Sequence, residues 1–109
     1  MFREKEVRRG IALLDTMVPD WKSRISLETL NMAYSKECIL GQVFEDYNTG
    51  LLALNLLGDE PLQYGFAIYA PAQSHTSEVY ASLFAEYERL NAKLTETWRK
   101  ELTNYGESV

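Results

Sequence analysis

Hydrophobic positions in the last third of the chain fall on one helical line. Leu83, Tyr87, Leu90, Leu94, Trp98, Leu102 and Tyr105 are spaced by 4, 3, 4, 4, 4 and 3 residues. That repeat keeps every one of them on a single face of an α-helix, and it predicts a helix from Thr76 or Ser77 to Asn104. Glu86 before Arg89 and Glu96 before Lys100 support its exposed side through charge pairs one turn apart. At 1.5 Å per residue the helix runs about 42 Å. A body of this length has a radius of gyration of about 13 Å, so one end of the helix is expected to project or fray, unless the helix bends, with Asn91 the place for the bend.

The same reading organises the rest of the chain. Val7, Ile11, Leu14 and Val18 repeat at 4, 3 and 4, which predicts an amphipathic helix over residues 2–18, ended by Pro19 because the residue before a proline is pushed out of the helical region. Trp21 follows as a core plug. Residues 24–33, with Ile25, Leu27, Leu30 and Met32, suit either a short helix capped by Ser26 or an extended segment, and one or two helical turns are the favoured reading. In the stretch Ser35 to Gly50, Leu40, Val43, Phe44 and Tyr47 lie at i, i+3, i+4 and i+7. This predicts a buried helix over 36–47 with Ser35 as its cap and Leu40 and Phe44 in the core. Gly41 costs about 1 kcal/mol against alanine inside a helix, so another backbone is expected to approach there.

Asn48-Thr-Gly50 reads as a turn, and from Thr49 or Gly50 a short apolar helix with Leu51–Leu57 runs to a stop at Gly58. This helix is apolar nearly all round and is expected to be buried or to cover a partner. Residues 59–61 read as a loop, and 64–70 as irregular structure laid across the core with a tight bend at Gly65. Residues 71–77 form a polar loop bearing His75, the one histidine.

Composition narrows the function classes. The 109 residues are 46% hydrophobic and 25% charged, those of a globular domain. A single cysteine excludes an internal disulfide and fits a reducing compartment. No signal-like or membrane-spanning stretch occurs, so a cytoplasmic protein with no membrane partner is expected. The net charge of −5 divides into +2 over residues 1–24 and −7 over the remainder. Arg3, Lys5, Arg8 and Arg9 are interleaved with Glu4 and Glu6. That is a solvated helix face, not the basic face of a nucleic-acid reader.

Candidate chemistry is sparse. Cys38, Gln42 and Asp46 form a stripe at i, i+4 and i+8, which could line a pocket with a thiol, an amide and a carboxylate. Against this stands the ordinary role of a free cysteine as a small buried hydrophobe, with Gln42 and Asp46 as a wet edge. Cys38 and His75 are conceivable as a nucleophilic pair, but with one residue of each type coincidence accounts for them. Zinc lacks ligands. Asp46-Tyr-Asn48-Thr-Gly50 has the opening of a calcium loop, yet its glycine falls one place early and its twelfth position is Leu57, where a glutamate is needed. No metal or cofactor is therefore expected.

Trp21…Ile25-Ser-Leu27…Leu30, then Cys38-Ile-Leu-Gly-Gln-Val-Phe44-Glu-Asp-Tyr47 and Gly50, then Tyr64-Gly-Phe66 and Leu94-Thr-Glu-Thr-Trp98 together resemble a group of small uncharacterised proteins of actinobacteria and actinobacteriophages. The resemblance spans Gly10 to Leu102 and implies a phage or mobile-element source, with no assigned activity and no catalytic residue.

The expectation is thus an all-α protein, a compact bundle of four to five helices with a long C-terminal helix, forming one domain over 1–109. It reads as a small non-enzymatic accessory protein that binds a protein partner of host or phage. It is also expected to pair as a homodimer, through Leu94, Trp98 and Leu102 on the far end of the last helix and the apolar segment 51–57. The alternative is a small-ligand binder or minor enzyme with a pocket near Cys38, Gln42, Asp46 and His75. A deep pocket with converging polar groups favours the alternative, and a flat apolar patch favours the protein partner.

Overall fold

Val7, Ile11 and Leu14 bury the expected face of the first helix, and the long last helix and the backbone at Gly65 are laid against that helix. The computed structural model describes residues 2–69 and 77–107. Among them are five helices and no strand: α1 (Glu4–Met17), α2 (Ile39–Phe44), α3 (Tyr47–Leu54), α4 (Glu60–Gln63) and the long α5 (Ser77–Glu107), with a 3-10 turn at Trp21–Arg24. The all-α class and the long final helix are as expected. No helix among the described residues is long and apolar enough to cross a membrane. The polar loop assigned to 71–77, with His75, lies outside the described residues except for its last position.

The centre is aromatic. Trp98 of α5 is fully buried and stacks on Phe66 with ring centroids 5.8 Å apart and planes 12° from parallel. It meets Trp21 edge-on at 6.5 Å and 84°. Its Nε1 donates to the Gly65 carbonyl at 2.6 Å, and Trp21 Nε1 donates to Asp15 Oδ1 at 2.8 Å. Each buried indole N–H therefore has its acceptor, as a low-dielectric interior requires. Gly65 has φ +70, and a Cβ there would come within 2.9 Å of Val7 backbone atoms. The glycine lets residues 65–69 lie directly on α1, which is the irregular crossing expected of this segment.

Residues 24–33 differ from expectation. Only the 3-10 turn is helical, and the chain from Ile25 to Cys38 runs irregularly. Its backbone groups find side-chain partners on other elements. Gln42 Oε1 accepts from the Ser26 amide at 2.6 Å and its Nε2 donates to the Ser26 and Glu37 carbonyls. Arg99 donates to the carbonyls of Leu27 and Leu30. Thr95 Oγ1 accepts from the Met32 amide at 2.9 Å. With these groups satisfied elsewhere, a helical ladder offers nothing further.

The single helix expected over 36–47 and the one over 51–57 are replaced by two short helices with a break between. Cys38 caps α2, its Sγ accepting from the Gly41 amide at 3.3 Å, while the Ser35 hydroxyl accepts from the Tyr47 amide instead. Glu45 at φ 84 turns the chain, and Asp46 caps α3. Gly50, read as a stop, lies inside α3 against Leu40 and Phe44. The backbone approach expected at Gly41 is present, since a Cβ there would meet the Ser35 carbonyl and the Lys36 backbone. Leu40 is fully buried as expected, but Phe44 is only partly buried. Nor is α3 apolar all round, because Leu54 is buried while Leu52 stands 80% exposed. Residues 60 and 61, assigned to a loop, open α4, with Pro61 in its first turn, where a missing N–H costs nothing.

The end of α5 that docks is also the reverse of expectation. Leu94 and Trp98 are fully buried and Leu102 nearly so, because this half is enclosed by α1, residues 27–32 and the 65–68 crossing. Residues 78–90 contain no buried side chain. The helix is unbroken through Asn91, its first half projects, and the molecule extends 48 Å along its longest axis against 27 and 23 Å across.

Trp98→Ala is expected to cost about 3 to 5 kcal/mol, the range for emptying a buried aromatic site. Trp98→Phe keeps the ring stack but strands the Gly65 carbonyl, a loss of about 1 to 3 kcal/mol. Urea unfolding of the two variants measures both, and an unchanged midpoint for Trp98→Ala would remove this residue from the centre of the fold.

Candidate functional site

The thiol, amide and carboxylate of the predicted stripe do not converge. Cys38 is buried at the start of α2, where its Sγ donates to the Ser35 carbonyl at 3.6 Å as well as capping the helix. Gln42 spends its amide on Ser26 and Glu37. Asp46 accepts from the Thr49 amide at 2.7 Å, and that bond holds its carboxyl below the usual range. The break at Glu45 ends the helix on which an i, i+8 alignment depends. Gln42 and Asp46 are therefore structural, and Cys38 lines a cavity.

That cavity is a groove of about 410 Å³ bounded by residues 32–35, Leu51 of α3, the 66–69 crossing, and Tyr87 and Asn91 of α5. Four tyrosines, 34, 47, 69 and 87, stand around it with Met32, Phe66 and Ile68. None of the described lining residues is Asp, Glu, Lys or Arg, although a quarter of the chain is charged. Burial pushes the Cys38 thiol up, against the Gly41 hydrogen bond that favours the thiolate. Burial, then Cys38 and Tyr87, push the Tyr47 phenol up to about 12. Cys38 and Tyr47 are thus both held toward their neutral forms.

Asn91 is the residue that sequence reasoning treated only as a place to bend. It is 2% exposed, it lines the groove, and its Nδ2 has no hydrogen-bond partner. A signal for it was present: Tyr87, Asn91, Leu94 and Trp98 lie at i, i+4, i+7 and i+11, so an amide interrupts the apolar face. No group of three or more His, Cys, Asp or Glu side chains comes together among the described residues.

A second surface begins where the groove ends. On the projecting half of α5, Tyr80 and Phe84 stack at 6.0 Å and Phe84 meets Tyr87 at 5.9 Å. Leu83 and Phe84 are 38% and 41% exposed. Leu94, Trp98 and Leu102, expected to form such a surface, are in the core instead.

Compared with protein-family models, with curated proteins and with solved structures, the chain matches none.

The raised acids give a pH dependence whose sign follows directly. A group whose pKa is higher folded than unfolded stabilises the fold below the unfolded value and loses that contribution as pH rises through the folded one. For Tyr47 the window runs from 10.0 to about 12. Tyr47→Phe, which cannot ionise, is expected to lose less stability across that window than the unaltered protein when the two are unfolded in urea at matched pH. Equal losses would show that Tyr47 titrates as in an unfolded chain. At neutral pH the buried thiol of Cys38 is expected to react with a thiol reagent many-fold more slowly than in urea-unfolded protein.

Proposed function

We propose that the protein is a non-enzymatic interaction protein, of the phage or mobile-element accessory kind that its resemblance implies, acting in the cytoplasm by offering the projecting half of α5 to a protein partner. The observation that carries this reading is the line Tyr80, Leu83, Phe84 and Tyr87, at i, i+3, i+4 and i+7 on a helix half with no buried residue. That spacing suits a helix laid into an apolar groove, and aromatic anchors supply much of the binding energy in such contacts.

The chemistry of the partner follows from charge. Residues 25–109 carry −7, and the projecting half bears Glu78 and Glu88 while its Arg89 is already paired with Glu86. The complement is an apolar groove with a basic rim. A second copy would bring the same acidic flanks, Glu78, Glu86 and Glu88, to the contact, and like charges oppose that pairing. A different protein is therefore the occupant.

A photo-crosslinking residue at position 83, compared with one at the exposed Leu52 on α3, tests this in cells. Position 83 is expected to capture a protein through a basic-rimmed groove, position 52 to capture none, and Phe84→Glu to abolish the adduct without lowering Tm. Sedimentation of the isolated protein is expected to give a species near the 12.5 kDa chain mass. Adducts consisting only of two copies of the chain, or equal capture from position 52, would overturn the proposal.

A further inference from the structure

The Asn91 amide sets apart the groove at the base of α5. An amide Nδ2 carries two hydrogens that must be donated somewhere when it leaves water. Here the side chain belongs to a residue 2% exposed, on the wall of a cavity, and Nδ2 has no partner. The same helix satisfies other buried polar side chains: Thr95 Oγ1 donates to the Asn91 carbonyl and accepts from the Met32 amide, and Thr97 Oγ1 has the Phe2 carbonyl at 2.7 Å and the Lys93 carbonyl at 3.1 Å for its one hydrogen. Asn91 is the exception within a well-paired set.

What would take that donor is constrained by the wall. With no charged side chain among the described lining residues, an ionic ligand would give up its hydration and gain no counter-charge. Tyr47, Leu51 and Tyr87, all partly exposed, offer aromatic and branched aliphatic surface beside the buried Phe66, and the volume of about 410 Å³ lies within the range of small-molecule sites. We propose that this groove is a binding site for a small uncharged molecule that has an aromatic body and a carbonyl oxygen, the carbonyl accepting from Asn91 Nδ2 and the body lying among Tyr47, Leu51, Phe66 and Tyr87. Cys38 forms part of the wall and takes no covalent part. The site stands independently of the protein contact on α5, sharing only Tyr87 at its edge.

Two aryl amides, N-methylbenzamide and acetanilide, are the probes, with ethylbenzene as a body lacking the acceptor and benzoate as a charged one. In ¹⁵N-labelled protein the Asn91 side-chain NH₂ pair is expected to shift saturably with at least one amide and to stay in place with ethylbenzene. Benzoate is expected to bind about tenfold more weakly or worse, a factor worth about 1.4 kcal/mol. Asn91→Leu removes the unpaired donor. It is expected to keep or raise Tm, as substitutions at sites kept for binding often do, and to weaken amide binding at least about tenfold. If Asn91 instead held only a structural water, Asn91→Leu would lower Tm and neither amide would move its NH₂ pair. That result overturns the proposal, as does benzoate binding as tightly as the amides. Should Asn91→Leu fail to fold, the titrations of the unaltered protein decide the matter alone.

Discussion

One side chain joins the two longest helices to the segments that cross them. Trp98 has α1 on one side, the 65–68 crossing on another and Trp21 at its edge, and its one polar atom is used on the Gly65 carbonyl. That bond can form only because Gly65 brings its backbone against Val7 at a positive φ. Gly10 serves the same contact from α1, where a Cβ would strike the Tyr64 carbonyl and crowd the Trp98 ring. The position of α5, and therefore of everything α5 carries, is set by the fit of one indole between two glycines. A rigid indole with a single donor specifies a unique arrangement better than several flexible aliphatic side chains of equal area.

The parts of the fold legible in the sequence were those in which periodicity and burial agree. The 3.6-residue lines through Val7–Val18 and Leu83–Leu102 placed α1 and α5, because each runs long enough for one phase to dominate. Residues 24–33 were not legible, and the reason is where their hydrogen bonds go. A helix there would have closed its own ladder, but Gln42, Thr95 and Arg99 reach across and occupy the Ser26, Leu27, Leu30 and Met32 backbone. Nothing local marks Arg99 as the partner of a loop some seventy residues earlier. The break at Glu45 was equally hidden, since a glutamate at φ 84 is a strained choice that local propensity argues against. Asp46 was the available sign, as a good cap followed by a helical run, but it was read as one member of a stripe.

The same break accounts for the candidate site. Alignment of Cys38, Gln42 and Asp46 assumed a continuous helix, and with two short helices the three side chains serve three separate ends: a buried cap, a loop clamp and an exposed cap. What the sequence did contain was an asparagine in the apolar phase of its most regular helix. Polar side chains in such positions are either satisfied within the fold, as Thr95 and Thr97 are, or kept for something outside it. Sequence alone does not separate the two cases, because the partners of Thr95 and Thr97 come from Met32 and Phe2, which only the tertiary fold brings near.

The projecting half of α5 raises the question of why it is helical, since residues 78–90 bury nothing. An isolated peptide of that length would be marginal, because the unfavourable step in helix formation is the first turn. Here that step has already been taken by the docked half, where Leu94, Thr97, Trp98 and Leu102 hold two turns against the core. Each further residue then adds one hydrogen bond for one pair of dihedrals fixed, a step close to neutral. Glu78 in the first turn and the Glu86–Arg89 pair add small favourable terms. The aromatic line is thereby held in a fixed geometry before any encounter, and a contact made with an ordered helix forfeits less conformational entropy than one made with a coil. The burial of Trp98 at one end of α5 thus orders the exposed stripe at the other, through nothing more than helix propagation.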